Sequence, residues 1–430
     1  MNYTYKQIWL INFPVMMSIL MEQLINITDA VFLGHVGEIE LGASALAGIY
    51  YLAIYMLGFG FSIGLQVMIA RRNGEQNYRE TGQTFFQGLL FLSGLAILLC
   101  LLIRSISPFI LKQLIVSEEI YQAVVCYLDW RSLGLLFSFP FLAFRSFFVG
   151  TTNTGVLSWA AMTAVCINIP LNYLLIFTFN LGISGAAIAS SLAEGGSFLI
   201  LLFYAWWKVD KVKYGLKAIY DGKLLRALLH LSIWSMLHAF ISVAPWFLFF
   251  VAIEHLGKNE LAISNITRSV STIFFVIVSS FATTTGSLVS NSIGAGERKE
   301  LFPICSKILK LGYITGLPLI GIALLLSYRI IGIYTDNELL IKQAFTPFVV
   351  MLMNYTFALP GYVYINAVSG TGKTKTAFIF QVITILFYLI YLYRLSNYEK
   401  APLAVYMTAE YLFVILLGIQ SIIYLKKKHY

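Results

Sequence analysis

Residues 208–226, KVDKVKYGLKAIYDGKLLR, place six Lys or Arg halfway along a chain of 430 residues. On either side the sequence is mostly apolar. Hydrophobic residues make up 59% of the chain and charged residues 11%, where a water-soluble domain carries about 25% charged residues. No aqueous fold could bury that much apolar surface, so lipid is the main solvent. A helix crossing about 30 Å of hydrocarbon needs about 20 apolar residues. Runs of that kind fall near residues 10–33, 41–69, 82–104, 130–149, 157–179, 184–207, 232–255, 261–290, 308–333, 347–368, 377–393 and 402–425. They predict an all-α integral membrane protein of twelve transmembrane helices with no separate soluble domain. The basic stretch separates the sixth run from the seventh. It divides the chain into an N-terminal lobe of residues 1–210 (spans 1–6), a cytoplasmic linker of residues 211–224 and a C-terminal lobe of residues 225–430 (spans 7–12).

The two halves repeat one another. Sliding the sequence on itself by 220 residues pairs Gly37 with Gly257, Glu40 with Glu260, Leu41 with Leu261, Ser44 with Ser264, Phe61 with Phe281, Gly74 with Gly294 and Glu80 with Glu300. The same shift continues to Pro140 with Pro360, Gly150 with Gly370, Thr151 with Thr371 and Thr154 with Thr374. The matches gather at loop and kink positions, where Gly and Pro have backbone reasons to recur. Six spans per half is an even number, so both halves enter the membrane from the same side. They are expected to be related by a pseudo-twofold axis along the membrane normal, with alternating access by rocking of the two lobes.

Charge sets the orientation. With Met1 inside, 20 of the 29 Lys and Arg fall on the inner side, so the positive-inside rule puts both termini in the cytoplasm. Tags at residue 215 and at Tyr430 are then expected inside and one near Asp336 outside. The net charge of +9 is thus a topological signal, and no nucleic-acid partner is expected. The first span has no small-residue cleavage site after it and reads as retained. Cys100, Cys126, Cys166 and Cys305 stand singly without metal-binding spacing and read as packing residues. The partners expected are the bilayer of the cell inner membrane and a small-molecule substrate, with the chain acting as a monomer.

An ionisable side chain at mid-membrane is expensive and marks function by default. Span 1 offers Glu22, Asn26 and Asp29 on one face. Span 5 offers Asn168 and Asn172, with Pro170 between them able to free a backbone carbonyl. Span 6 offers Ser190, Glu194 and Ser197 on one stripe. Counted from the outer helix ends, Asp29, Asn172 and Ser190 lie roughly 6 to 10 Å deep, and Glu22, Asn168 and Glu194 roughly 15 to 17 Å deep. A carboxylate among amide and hydroxyl oxygens suits a hard cation such as sodium or a titrating proton. Arg145 is the expected neutralising partner of Glu194, whereas Asp129, Arg131 and Glu254 sit near predicted helix ends and are expected to reach water; Glu410 has no sequence-based account. Pro14 leaves a weakened backbone bond upstream of Asp29, where span 1 could bend.

Several stretches resemble the multidrug and toxic compound extrusion (MATE) family over nearly the whole chain. They are Pro14 followed by TDAVFLGHVGEIELGASALAG (28–48), GLQVMIARRNGEQN (64–77), FFVGTTNT (147–154), NIPLNYLLIF (168–177), LGISGAAIASSLAE (181–194), SNSIGAGERKE (290–300) and VSGTGKT (368–374). The resemblance implies a two-lobe transporter that exports organic cations or amphipathic toxic compounds against protons or sodium ions. It also implies a coupling site built on Asp on span 1, Asn and Asp on span 5 and Thr on span 6. Asp29 and Asn168 match that pattern, Asn172 stands where the second acid is usual, and Ser190 replaces Thr. Sodium would sit at Asp29, Asn168 and Asn172. The acids that sodium-coupled relatives carry on spans 7 and 10 are Ser242 and Ala358 here, which leaves the first lobe as the expected coupling site.

Trp246, Phe247, Tyr355 and Phe357, with Asn26, are candidates for lining a substrate cavity, where aromatic faces attract cations. A lipid-linked oligosaccharide flippase of the same superfamily is the alternative function; it would favour cavity Arg and Lys, and Arg145 and Arg268 are the deep candidates. No enzyme is expected, since no intramembrane His cluster or HExxH motif is present. AVSGTGKT (367–374) fits a loose phosphate-loop pattern, but it follows a membrane span rather than a strand. No cofactor is expected beyond the coupling ion.

Overall fold

In hydrocarbon every backbone polar group must be satisfied within the protein, and a helix does this without a partner. The computed structural model describes residues 3–115, 117–216, 219–254, 256–334, 337–397 and 401–428, and among these it holds helices and turns but no strand. The first half comprises α1 (Tyr5–Gly34), α2 (Glu38–Gly74), α3 (Tyr78–Leu114), α4 (Glu118–Arg131), α5 (Leu135–Gly150), α6 (Gly155–Tyr173) and α7 (Gly182–Lys208). The second comprises α8 (Gly222–Ile241), α9 (Val243–Glu254), α10 (Lys258–Gly294), α11 (Leu301–Leu325), α12 (Ser327–Gly332), α13 (Glu338–Met353), α14 (Tyr355–Gly370), α15 (Thr374–Ser396) and α16 (Leu403–Lys427). Among the described residues twelve helical stretches are long and apolar enough to cross a membrane, as the sequence predicts.

Several spans are longer or more broken than hydropathy suggests. The fourth runs from Glu118 rather than from about 130, because α4 and α5 are joined by a single 3-10 turn at Ser132–Gly134. The acidic start EEIYQ of α4 hides it from a hydropathy reading. Arg131 therefore lies inside the fourth span and not at its end. The seventh span breaks at Ser242 between α8 and α9, just before Pro245. Pro14 and Pro170 are accommodated inside α1 and α6 without interrupting either helix, and α6 passes into a π-helical turn at Leu174–Thr178.

The duplication reaches the level of single hydrogen bonds. Shifted by 220 residues, α2 becomes α10 and α5 becomes α14 at both ends, and α4 and α13 share their first residue. After α2, Gln76 N–H donates to Asn73 O at 3.0 Å and Asn77 N–H to Arg72 O at 2.9 Å; after α10, Gly296 N–H donates to Ile293 O at 3.0 Å and Glu297 N–H to Ser292 O at 2.9 Å. Both are the left-handed helix termination in which the orphan carbonyls of the last turn are satisfied. The left-handed residue is Gln76 (φ 58°) in one half and Gly296 (φ 81°) in the other, and likewise Thr152 (φ 60°) and Gly372 (φ 83°). The AVSGTGKT segment is this second termination, a helix-ending turn and not a phosphate loop. Close helix approach is duplicated too: a Cβ on Gly150 would lie 3.2 Å from Gln66 O, and one on Gly370 2.7 Å from its counterpart Gly286 O.

Packing groups the chain into two compact units, Phe13–Phe240 and Met1–Asn12 with Ile241–Tyr430. This grouping differs from the division at the linker because both α1 and the seventh span are shared. The α8 backbone lies against α2, where a Cβ on Gly64 would come within 2.8 Å of Ser232 Cα and one on Gly60 within 2.5 Å of Met236 Cα. At the other end, Asn12 Oδ1 accepts from Thr284 Oγ1 at 2.9 Å, which ties the first turns of α1 to α10.

Candidate ion-binding site

In the unit Phe13–Phe240, small residues on α7 let it press against the end of α6, where a Cβ on Gly185 would meet the Leu175 carbonyl carbon at 2.8 Å. That approach brings the polar side chains of both helices onto α1. Asn168 and Asn172 are one turn apart on α6 and both are fully buried. Asn172 Nδ2 donates to Asp29 Oδ1 at 2.6 Å, and Asn168 Nδ2 donates to the same oxygen at 3.1 Å. Ser190 Oγ on α7 donates to Asp29 Oδ2. Asn172 Nδ2 also reaches Asn168 Oδ1 at 3.0 Å, and Asn168 Nδ2 reaches Ser190 Oγ at 3.2 Å. Three residues, lying up to 161 positions from Asp29 in sequence, thus close on its carboxylate. The sequence assigned Asn168 to a deeper layer with Glu22 and Glu194. It joins the Asp29 layer instead, because a one-turn offset is bridged by the length of an Asn side chain.

One acceptor at this site has no donor: Asn172 Oδ1 is buried and unpartnered. Buried polar atoms are nearly always satisfied, so an orphan acceptor beside a carboxylate marks a place for a donor or a cation. The oxygens of Asp29, Asn168, Asn172 and Ser190 form the set that a hard monovalent cation or a proton on Asp29 would complete.

The deeper acids behave differently. Glu194 is held by Arg131, with Arg131 Nη1 at 2.9 Å from Oε2 and Nη2 on Oε1. This corrects the expectation that Arg145 neutralises Glu194 and that Arg131 reaches water, since the Arg131 side chain is 13% exposed. The Arg131 guanidinium also covers the Tyr51 ring at 4.3 Å. Glu22 is exposed, with the charges of Arg145 and Glu194 as its electrostatic neighbours. Arg145 is buried, its guanidinium 5.7 Å from the Phe59 ring, and its Nε lacks an acceptor. Asn26 is exposed, and Ser197 donates to Ala160 O at 2.7 Å across the α6–α7 contact. The sequence offered no signal for the Arg131–Glu194 pair, whose partners are 63 residues apart.

The aromatic candidates divide. Tyr355 is buried and donates to Gly312 O at 2.7 Å, whereas Phe357 is exposed and packs on Tyr411 with ring centroids 5.4 Å apart. The side chains of Trp246, Phe247 and Glu254, like residues Asp336 and Tyr430, lie outside the described residues. Glu410, unexplained by sequence, meets Arg268 at 3.4 Å.

The MatE family profile matches residues 14–174 and again 235–394. The chain belongs to the MatE family. The two matches begin 221 and end 220 residues apart, which is the repeat seen in the helix boundaries. Among curated relatives, a protein described as a probable multidrug resistance protein NorM from Photorhabdus laumondii is 24% identical over 76% of this chain and 71% of its own length. Multidrug and toxin extrusion protein 1 of Rattus norvegicus is 26% identical over 66% of this chain and half of its own length. Among solved structures, an outward-facing multidrug resistance MATE transporter superposes with a TM-score of 0.91 at 17% identity, covering 99% of this chain and 95% of the other. A transporter from Pyrococcus furiosus gives 0.89 at 17% identity, over 99% and 95%. These likenesses establish the fold.

Proposed function

We propose that this chain is a secondary active exporter of the inner membrane, expelling organic cations or amphipathic toxic compounds in exchange for protons or sodium ions, with Asp29 as the ion-binding carboxylate. The observation that carries this reading is the convergence of Asn168, Asn172 and Ser190 on Asp29 together with the unpartnered Asn172 Oδ1. The unpartnered Oδ1 beside the carboxylate leaves capacity for a further donor or a cation at that place. The names of the relatives, multidrug resistance and multidrug and toxin extrusion proteins, support the substrate class. Antiport requires ion and substrate to favour different states. Two places could absorb the change: the chain passes between packing units at Asn12–Phe13, next to Pro14, and at Phe240–Ile241, next to the break at Ser242. The duplicated halves, 1–210 and 225–430, would act as lobes of one monomer. The flippase alternative is the weaker reading, because Arg268 is engaged with Glu410 rather than presented to a diphosphate.

The test is ethidium efflux from vesicles under imposed proton and sodium gradients, run beside a lipid-linked sugar translocation assay. Wild-type protein is expected to move ethidium under at least one gradient. Asp29→Asn, which keeps shape and removes the charge, is expected to lose gradient-driven efflux while still folding. Wild-type coupling in Asp29→Asn would show the site to be wrong.

A further inference from the structure

The 220-residue repeat allows each residue of the Asp29 site to be traced into the second half. The counterpart of Asp29 is Phe249, of Asn168 is Tyr388, of Asn172 is Leu392 and of Ser190 is Glu410. The carboxylate has moved from the first helix of the repeat to the last, yet two of these positions, Tyr388 and Glu410, again meet at one acid. Tyr388, fully buried, donates to Glu410 Oε1 at 3.2 Å. Arg268 Nη1 lies 3.4 Å from the same oxygen, and its guanidinium carbon sits 4.6 Å from the centroid of the Phe249 ring. The counterpart of Arg268 in the first half is Gly48, where an added Cβ would meet nothing within 4 Å. The first half therefore has a carboxylate and no fixed cation at that position; the second has both.

We infer that the second half holds a converted copy of the ion site, in which Arg268 is a tethered cation that permanently occupies Glu410. A guanidinium stays charged at any physiological pH and stacks on an aromatic face, so it holds the carboxylate without drawing on solution. Among the described residues, the other ionisable groups around Glu410 are Tyr388 on α15 and Tyr362 on α14. The Arg131–Glu194 pair is a different object, since its positions correspond to Met351 and Val414 and have no ionic counterpart. The consequence is a stoichiometry: one coupling cation per cycle, taken at Asp29 alone. This rests on the proposed ion-coupled reading for its role in transport, but the cation count does not depend on transport.

The count is measured on the purified full-length chain, by radioactive sodium binding at alkaline pH and by dye-detected proton uptake on acidification. Arg268→Met is expected to bind one more cation per chain than wild type, as proton or sodium, because Glu410 is then unpaired in a low-dielectric site. Arg268→Lys and the double variant Arg268→Met with Glu410→Gln are expected to return the wild-type count. Glu410→Gln alone is expected to leave it unchanged, and this variant serves even if Arg268→Met does not fold. An unchanged count in Arg268→Met, or a loss of one cation in Glu410→Gln, overturns the inference. Asp29→Asn run in parallel is expected to lose one cation; if it does not, the failure belongs to the proposed function and not to the tethered arginine.

Discussion

At the scale of single residues, the first half separates two acids by what holds them. Asp29 is met by the neutral donors Asn168, Asn172 and Ser190, which orient a carboxylate without balancing its charge. Glu194 is met by a guanidinium fork, which balances the charge outright. The two therefore answer to mutation in different ways. Glu194→Gln leaves Arg131 without its partner in a largely desolvated place, and because the pair is 13% and 24% exposed the loss should fall below that of a fully buried pair, at about 1–3 kcal/mol. Adding Arg131→Gln should recover part of that loss. Melting of the purified protein in detergent measures both; a double variant no more stable than Glu194→Gln would show that Arg131 is needed for packing on Tyr51 rather than for charge.

At the scale of elements, the repeat supplies its own control. The turns after α2 and α5 use Gln76 and Thr152 in the left-handed conformation where the second half uses Gly296 and Gly372. A β-branched residue there is strained by about 1–2 kcal/mol relative to glycine. Thr152→Gly is expected to stabilise the protein by about 0.5–1 kcal/mol, after the extra entropy of glycine is allowed for. Gly372→Thr is expected to destabilise it by about 1–2 kcal/mol. Thermal shift of each variant against wild type checks the pair, and equal shifts of the same sign would contradict the duplicated turn geometry. Elements also explain where hydropathy falls short. Glu118 and Glu119 are exposed at the start of α4, and the seventh span breaks at the exposed Ser242, so neither stretch carries the apolar signature that a hydropathy reading follows.

At the scale of the whole chain, orientation is the open quantity that charge alone predicts. Between residue 215 and the C-terminus lie six spans, and between residue 215 and the α12–α13 turn lie three. Single cysteines at residue 215 and at Lys428, in a background with native cysteines removed, are expected to label from the cytoplasmic side. One at Asn337 is expected to label from outside. Labelling of Asn337 and Lys428 from the same side would overturn the twelve-span topology.

The sequence by itself determined the helical class, the number of spans, the 220-residue repeat and the residue types at Asp29, Asn168, Asn172 and Ser190, because lipid solubility, helix period and duplication are properties of local sequence. Only the tertiary structure decided which polar side chains share a partner. Asn168 joins Asp29 rather than Glu22, Arg131 rather than Arg145 holds Glu194, and Arg268 holds Glu410. Those choices depend on helix-to-helix distances of a few ångströms set by small residues such as Gly185, between positions as much as 142 residues apart. A hydropathy pattern carries no record of them, since an arginine that reaches water and one that closes on a carboxylate across the bundle have the same neighbours in the chain.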